Sequence, residues 1–410
     1  MSTSPLELLR AESRTLLFGV VCIFFSSPGQ TFFIAVFVAS FGAGAGLEAS
    51  ELGVLYLAGT LGAAAALPAL GHWIDRIDLR LYTGLTVSGL AIACLSASLV
   101  VGPVSLLVAF FLLRLFGQGL MIHVAVTSIS RHFSARRGVA LSWTAMGMPV
   151  ATALTPPLAV LAISLLGWRL SYAGVGALVL VVALPVLIGL IAGRPDFASP
   201  PARRAGSQPP RLAEGLLIVA RTRYFWLSLP VLLFMPFAST ALIFHIEFLG
   251  LAKGWSRDLV AAGFSGFALG HAGALVLAGI AVDRLSARMM VPLMNIPFFA
   301  SIAILALFAA PPALFAFLTL LGGALGLVQT TMGAVWAEVY GTRNVGTIRS
   351  LAGVVIAVGS AVGPAVLGLA FDFGLAVETT CWALLAIGLA ATIAAAFAAA
   401  AARPAEDAHG

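Results

Sequence analysis

Hydrophobic and polar positions along this chain fall into long blocks, not into a short period. Apolar runs of about twenty residues or more alternate with brief charged or Gly/Pro breaks. They lie at 16–39, 50–71, 81–101, 104–128, 139–163, 169–192, 224–249, 258–281, 289–309, 312–338, 347–371 and 376–400. A helix needs about 20 mostly apolar residues to cross about 30 Å of hydrocarbon. The pattern therefore predicts twelve spanning helices, called spans 1–12 in chain order. Strands of a membrane barrel would alternate apolar and polar over about 10 residues, and these runs do not. One segment breaks the apolar pattern: residues 194–214 are rich in Pro, Arg and Ser and read as a linker. The expected organisation is a six-helix bundle over 1–192, a linker over 193–223 and a second six-helix bundle over 224–410.

The two halves repeat. At a shift of 208 positions, Pro28 falls on Pro236, Gly71 on Gly279, Asp75 on Asp283, Arg76 on Arg284 and Arg80 on Arg288. Further on, Pro103 meets Pro311, Gly138 meets Gly346, Ser142 meets Ser350 and Pro156 meets Pro364. An apolar chain matches Ala to Leu by chance, but it rarely yields two ungapped copies of G-x-x-x-D-R-x-x-x-R in equivalent loops. The shift crosses an even number of spans, so the repeats are parallel. That arrangement predicts a substrate site between the halves, near the bilayer midplane.

Composition excludes several classes. Of 410 residues, 61% are hydrophobic and 9% charged, against about 45–50% and 25% in soluble domains. A soluble enzyme, a disordered chain and a collagen-like chain are ruled out. Cys22, Cys94 and Cys381 all sit in apolar runs, without metal-ligand or disulfide spacing. The short N-terminus, Met1 to Arg14, shows no cleavable signal peptide.

The net charge of +6 matters through its distribution. One side holds eighteen of the 22 Lys and Arg: Arg10, Arg14, Arg76, Arg80, Arg131, Arg136, Arg137, Arg194, Arg203, Arg204, Arg211, Arg221, Arg223, Arg284, Arg288, Arg343, Arg349 and Arg403. The other side holds Arg169, Lys253 and Arg257. By the positive-inside rule both termini are expected in the cytoplasm. The basic excess is thus an orientation signal and not a nucleic-acid patch. A multi-pass protein of the cytoplasmic (inner) membrane, monomeric in the bilayer, is expected.

The loop after span 2, Gly71-His-Trp-Ile-Asp75-Arg76-Ile-Asp-Leu-Arg80, resembles the signature loop of the major facilitator superfamily. The loop from Gly279 to Arg288 resembles its second copy. Span 4 carries Arg114-Leu-Phe-Gly117-Gln118-Gly119, similar to the family's R-x-x-x-G-type pattern. Arg136-Arg137-Gly138 opening span 5 and Gly167-Trp168-Arg169 opening span 6 are similar to the bacterial branch related to monocarboxylate-type carriers. The usual Gly after the Asp-Arg pair is replaced by Asp78 and Ser286, and the Gly-Pro antiporter signature is reduced to Gly147-Met148-Pro149. The resemblance implies two parallel six-helix repeats working by alternating access. It also implies loops that gate the inner side through Asp75, Arg76, Arg80, Asp283, Arg284 and Arg288.

Arg114 is the cation that lies inside a span. A charge at mid-membrane is costly unless paired or hydrated, and such residues mark function. It is the candidate reader of an anionic solute, with Gln118 one turn on. The alternative role is pairing with carbonyls or polar groups of span 1, for stability alone. Span 1 is interrupted at Ser26-Ser27-Pro28-Gly29-Gln30-Thr31, since proline removes a backbone bond. Gln30 and Thr31 become candidate cavity residues, and Ser239 and Thr240 near Pro236 are their counterparts in span 7. His245, Glu247 and His271 are candidates for proton coupling, because histidine titrates near neutrality. On α-helical geometry His123 lies about 180° round from Arg114, His245 and Glu247 point about 200° apart, and Glu247 shares a stripe with Thr240. His271 lies beside Gly263, Gly266, Gly270 and Gly273, a small-residue stripe suited to close helix contact. Asp75 is expected to reach Arg131, Arg136 or Arg137, and Asp283 to reach Arg343.

No Walker-type loop and no hydrolase or metalloprotease motif in context is present, so neither ATP nor a cofactor is called for. The leading expectation is a secondary active transporter of a small organic solute, anionic by the Arg argument and proton-coupled by the His argument. The competing expectations are proton-driven efflux of drugs or hydrophobic metabolites, and a non-transporting membrane sensor or scaffold.

Overall fold

The computed structural model describes residues 12–133, 137–198, 221–340 and 345–401, and every regular element among them is helical. Eleven segments are long and apolar enough to cross a membrane. One of these, Arg137–Ile191, has 55 residues, about 80 Å of helix at 1.5 Å per residue. That is more than twice the hydrocarbon thickness. Its backbone turns at Gly167, with φ 74° and ψ 159°, a conformation that a side chain resists. The segment is therefore spans 5 and 6, and the all-α architecture of twelve spans stands.

The chain forms two compact units, Met1–Arg203 and Arg204–Gly410. Most of the linker expected over 193–223 lies outside the described residues, as do Arg136, Arg203, Arg204, Arg211 and Arg343.

In the first unit, span 1 is broken where the sequence places Pro28. Helix Ser13–Phe25 ends, Ser27–Gly29 forms one tight turn, and a short helix Thr31–Ala35 follows. Span 4 is also irregular. Between Pro103–Leu112 and Ile122–His132, residues Leu113–Met121 wind as a π-helix. The two irregular stretches meet. A Cβ placed on Gly29 would lie 2.1 Å from the Leu113 carbonyl oxygen and 2.7 Å from Gly117 Cα. Only glycine at both positions permits this approach. An aromatic cluster of Phe33, Phe37, Phe41, Tyr172 and Phe110 packs around the far end of span 1. Near the other end, Glu12 accepts hydrogen bonds from Arg194 Nη2 at 2.7 Å and Thr15 Oγ1 at 2.9 Å. Partial burial would raise this carboxyl, but the bonds from Arg194 and Thr15 and the charges of Arg194 and His132 hold it below its ordinary range.

In the second unit, spans 8 and 10 are in backbone contact. A Cβ on Gly270 would lie 1.9 Å from the Thr319 carbonyl oxygen, and one on Gly322 would lie 2.0 Å from that of Phe267. The glycine stripe of span 8 is thus a helix-contact surface, as small residues in membrane helices commonly are. Spans 7 and 11 touch in the same way at Gly359 and Gly363, against the carbonyls of Leu233 and Phe237.

The span 8–10 contact is directly testable. Gly322→Ala must separate the two helices, and overpacking of this kind costs about 1–3 kcal/mol. Gly333→Ala, on the same span with nothing within 4 Å of its Cβ position, serves as the control. Thermal unfolding of the solubilised protein should show a lowered midpoint for the first and none for the second.

Candidate functional site

The candidate site in the first unit is built around Arg114, which the π-helical stretch of span 4 carries and which is 4% exposed. Its Nη1 donates to the Gly29 carbonyl oxygen at 3.2 Å and approaches Thr31 Oγ1 at 3.5 Å. The Pro28 break frees that carbonyl and turns it toward span 4. Tyr56 of span 2 completes the setting. Its ring centroid is 5.1 Å from the Arg114 guanidinium carbon, and its hydroxyl shares a 2.7 Å hydrogen bond with Thr31. The Arg114 Nε is buried without a hydrogen-bond partner. Among the described residues no carboxylate forms an ion pair with Arg114.

Gln30 is buried, with its amide donating to Ser26 Oγ at 3.1 Å. Gln118 is half-buried on the same π-helical stretch as Arg114. The structure therefore gathers Arg114 and Thr31, adds Tyr56, and holds Gln30 to its own span. His123 Nε2 lies 3.0 Å from the Gly71 carbonyl oxygen. Both Arg114 and His123 face span 2, at Tyr56 and at Gly71, so the expected 180° separation does not hold. The π-helical winding between them invalidates α-helical angles. They are separated by depth instead.

In the second unit, Ser239 and Thr240 line a cavity of about 210 Å³ with Val231, Leu232, Met235 and others from spans 9, 10 and 11. Thr240 Oγ1 and Ser360 Oγ share a 3.0 Å hydrogen bond, while Ser239 donates to the Met235 carbonyl at 2.7 Å. His245 caps the helix Arg223–Phe244, and a separate helix Ile246–Ala252 follows. That break ends the unbroken stripe expected to join Glu247 to Thr240, and the expected 200° angle no longer applies. His245 Nε2 lies 2.8 Å from the Pro364 carbonyl oxygen. Glu247 pairs with Arg257 Nε at 2.6 Å. His271 Nε2 meets Gln329 Oε1 at 3.2 Å, and its Nδ1 is buried without a partner.

The two signature loops show different ion pairs among the described residues. In the first, Asp75 ion-pairs with Arg131 at the end of span 4, and Arg131 Nη1 also donates to the Ile74 carbonyl at 3.1 Å. Arg76 is exposed, and Arg80 gives its backbone N–H to the capping Asp78 at 2.7 Å. In the second, Arg288 Nε faces Glu338 Oε1 at 3.6 Å at the end of span 10, and Glu338 accepts the Ala287 N–H at 2.6 Å. Arg284 is exposed. The side chain of Asp283 and all of Arg343 lie outside the described residues. Each loop is tied to the end of the span two further on, acid to base in one unit and base to acid in the other.

Tyr56, Gln329, Glu338 and Ser360 escaped the sequence reading. For Tyr56 a signal existed: at the shift of 208 its counterpart is Phe264, so the hydroxyl is present in one repeat and missing in the other.

Ser286 sits where the second loop turns, with φ 68° and ψ 150°. That region is essentially reserved for glycine and costs of order 1–3 kcal/mol for other residues. Ser286→Gly is expected to raise stability by about 1 kcal/mol, read as a higher unfolding midpoint; an unchanged or lower one would show that the turn is not strained.

The comparisons with known proteins agree with this geometry. The profile of the Major Facilitator Superfamily matches residues 16–264, more than half of the chain. No curated protein matches the sequence. Among solved structures, a bacterial homologue of the human lysosomal transporter Spinster is similar in its inward-facing, unoccupied conformation. It has a TM-score of 0.68 at 15% identity, covering 95% of this chain and 94% of that one. The same homologue in its inward-facing, occupied conformation gives 0.65 at 15% identity, over 97% and 95%. At that identity the likeness establishes the fold alone.

Proposed function

The chain belongs to the Major Facilitator Superfamily, and from that premise we propose that it moves a small organic anion across the cytoplasmic membrane, coupled to protons. Family membership makes it a multi-pass membrane transporter working by alternating access, and not an enzyme. The observation that carries the anion reading is Arg114: a guanidinium 4% exposed, with Nε unpartnered and, among the described residues, no carboxylate ion-paired to it. A buried cation left in that state favours an arriving anion. The neighbouring Thr31, Gln30 and Gln118 in this unit, and Ser239 and Thr240 in the other, are proposed as polar contacts for the solute. His245, Glu247 and His271 are proposed for coupling. Protonation of Glu247 would release Arg257, which supports a charge exchange there. Both termini are placed in the cytoplasm, on the arginine asymmetry, and the protein is taken as a monomer of two bundles, 1–192 and 224–410, joined by 193–223.

The test begins with a thermal-shift screen of purified protein against metabolite anions and common drugs, since a bound ligand stabilises the fold. For an anion so found, Arg114→Gln should abolish binding, and Arg114→Lys should transport poorly although the charge is kept. The planar guanidinium presents a two-pronged donor set that an ammonium lacks. Unchanged affinity in Arg114→Gln would make Arg114 structural and favour efflux of neutral or cationic compounds.

The gating role of the loops rests on the Asp75–Arg131 pair. Asp75→Asn should insert normally and transport several-fold more slowly, because Arg131 loses its counter-charge in one of the alternating states. Wild-type rates in proteoliposomes would remove the gating assignment.

A further inference from the structure

The cavity in the second unit shows what it is built to hold. It measures about 210 Å³ and is lined by Val231, Leu232, Leu325, Val328, Ile356 and three methionines, Met235, Met294 and Met332. Among the described residues no charged side chain lines it. A cavity of about 150 Å³ accommodates benzene, and drug-sized pockets begin near 300 Å³. The space therefore suits a ring or branched chain with one small substituent. Methionines, flexible and polarizable, adapt to such apolar shapes.

The polar inventory is equally narrow. Of the three hydroxyls on the wall, Ser239 gives its proton to the Met235 carbonyl. Thr240 and Ser360 face each other at 3.0 Å. Each hydroxyl carries one proton, so one of the pair donates to the other and the second proton is left over. Neither hydroxyl donates to a backbone carbonyl of its own helix, as Ser239 does. The cavity thus offers one free hydrogen-bond donor, beside the unused lone pairs of the same hydroxyls, in an apolar setting.

We propose that this cavity is a binding site for an uncharged, mainly apolar group bearing a single hydrogen-bond acceptor, such as a ketone or ester carbonyl. Either a whole small solute or one end of a larger solute meets this description. Polyhydroxylated and zwitterionic groups do not, because three hydroxyls cannot satisfy their several donors or their charges. The inference rests on the reading that Ser239 and Thr240 meet the transported solute. It does not rest on Arg114, which belongs to the other unit.

The experiment uses the full chain in lipid nanodiscs and two matched probes, 4-fluoroacetophenone and 4-fluoroethylbenzene, followed by fluorine NMR. They are similar in shape and differ in one acceptor. The wild type should bind the ketone at least fivefold more tightly than the hydrocarbon. In Thr240→Val/Ser360→Ala, which keeps the volume nearly constant, ketone and hydrocarbon should bind alike. In Ser360→Phe, which fills the space, both signals should fall to those of empty nanodiscs. Equal binding of the two probes to the wild type would overturn the proposal. So would a ketone preference that survives the double substitution, or signals that match empty nanodiscs throughout, which would mean partition into lipid only. Should Ser360→Phe fail to fold, the double variant alone decides. The anion reading is scored on metabolite anions in the thermal-shift screen and this site on the two uncharged probes, so failure of one and failure of the other are read separately.

Discussion

A guanidinium enclosed by apolar helices needs oxygen atoms, and the carbonyls of a regular helix are largely taken up by its own ladder. The break in span 1 supplies them. Pro28 cannot donate to the ladder, and the turn at Ser27–Gly29 swings the Gly29 carbonyl to within 3.2 Å of Arg114. The same turn brings Gly29 against Gly117, where neither position can carry a Cβ. The side-chain contact and the backbone contact therefore depend on each other. Moving span 1 away from span 4 would remove the arginine's ligand, and removing the arginine would leave a bent helix whose free carbonyl has lost its donor.

The internal repeat shows how one helical scaffold serves two chemistries. At the shift of 208, Arg114 corresponds to Gly322 and Tyr56 to Phe264. In the second unit that glycine lets spans 8 and 10 touch backbone to backbone, and span 10 is α-helical from Pro311 to Tyr340. In the first unit the large side chain stands there instead, and the helix winds as π over Leu113–Met121. Stretches of π-helix occur frequently at functional sites. Both loops keep the same Asp and Arg positions. Among the described residues each loop is fastened to a neighbouring span by an ion pair, through Asp75 in the first and Arg288 in the second.

The span count, the repeat and the break in span 1 were legible in the sequence, because each rests on composition or on proline chemistry, whereas the helix of span 7 runs unbroken through Pro236 and ends only at His245. The meeting of Arg114 with the span 1 break was legible for the same reason. Contacts that depend on helical phase were not. Angles between Arg114 and His123, or between Thr240 and Glu247, assume an unbroken α-helix. The first path runs through π-helical winding and the second through the break at His245. Gln329 and Ser360 were invisible because a single polar residue in an apolar run gives no hint of its partner. The hydroxyl of Tyr56 was the exception, since comparison with Phe264 marks it.

Arg114 is not an empty socket, and this bounds how tightly an anion can bind. The guanidinium already has a carbonyl, a distant hydroxyl and an aromatic face. An arriving carboxylate replaces part of that set, so the free energy of binding is a difference between two ligand sets and not the whole strength of a buried ion pair. Charge-assisted bonds are roughly twice as strong as those between neutral groups, and here one side of the exchange is already charge-assisted. The gain is correspondingly moderate. A carrier working by alternating access needs that moderation, because a solute held by the full attraction of an unsolvated cation would not leave on the far side. On the proposed anion reading, the internal ligands of Arg114 would restore its partner set when the solute departs, and the return step would then proceed without an exposed charge in the hydrocarbon.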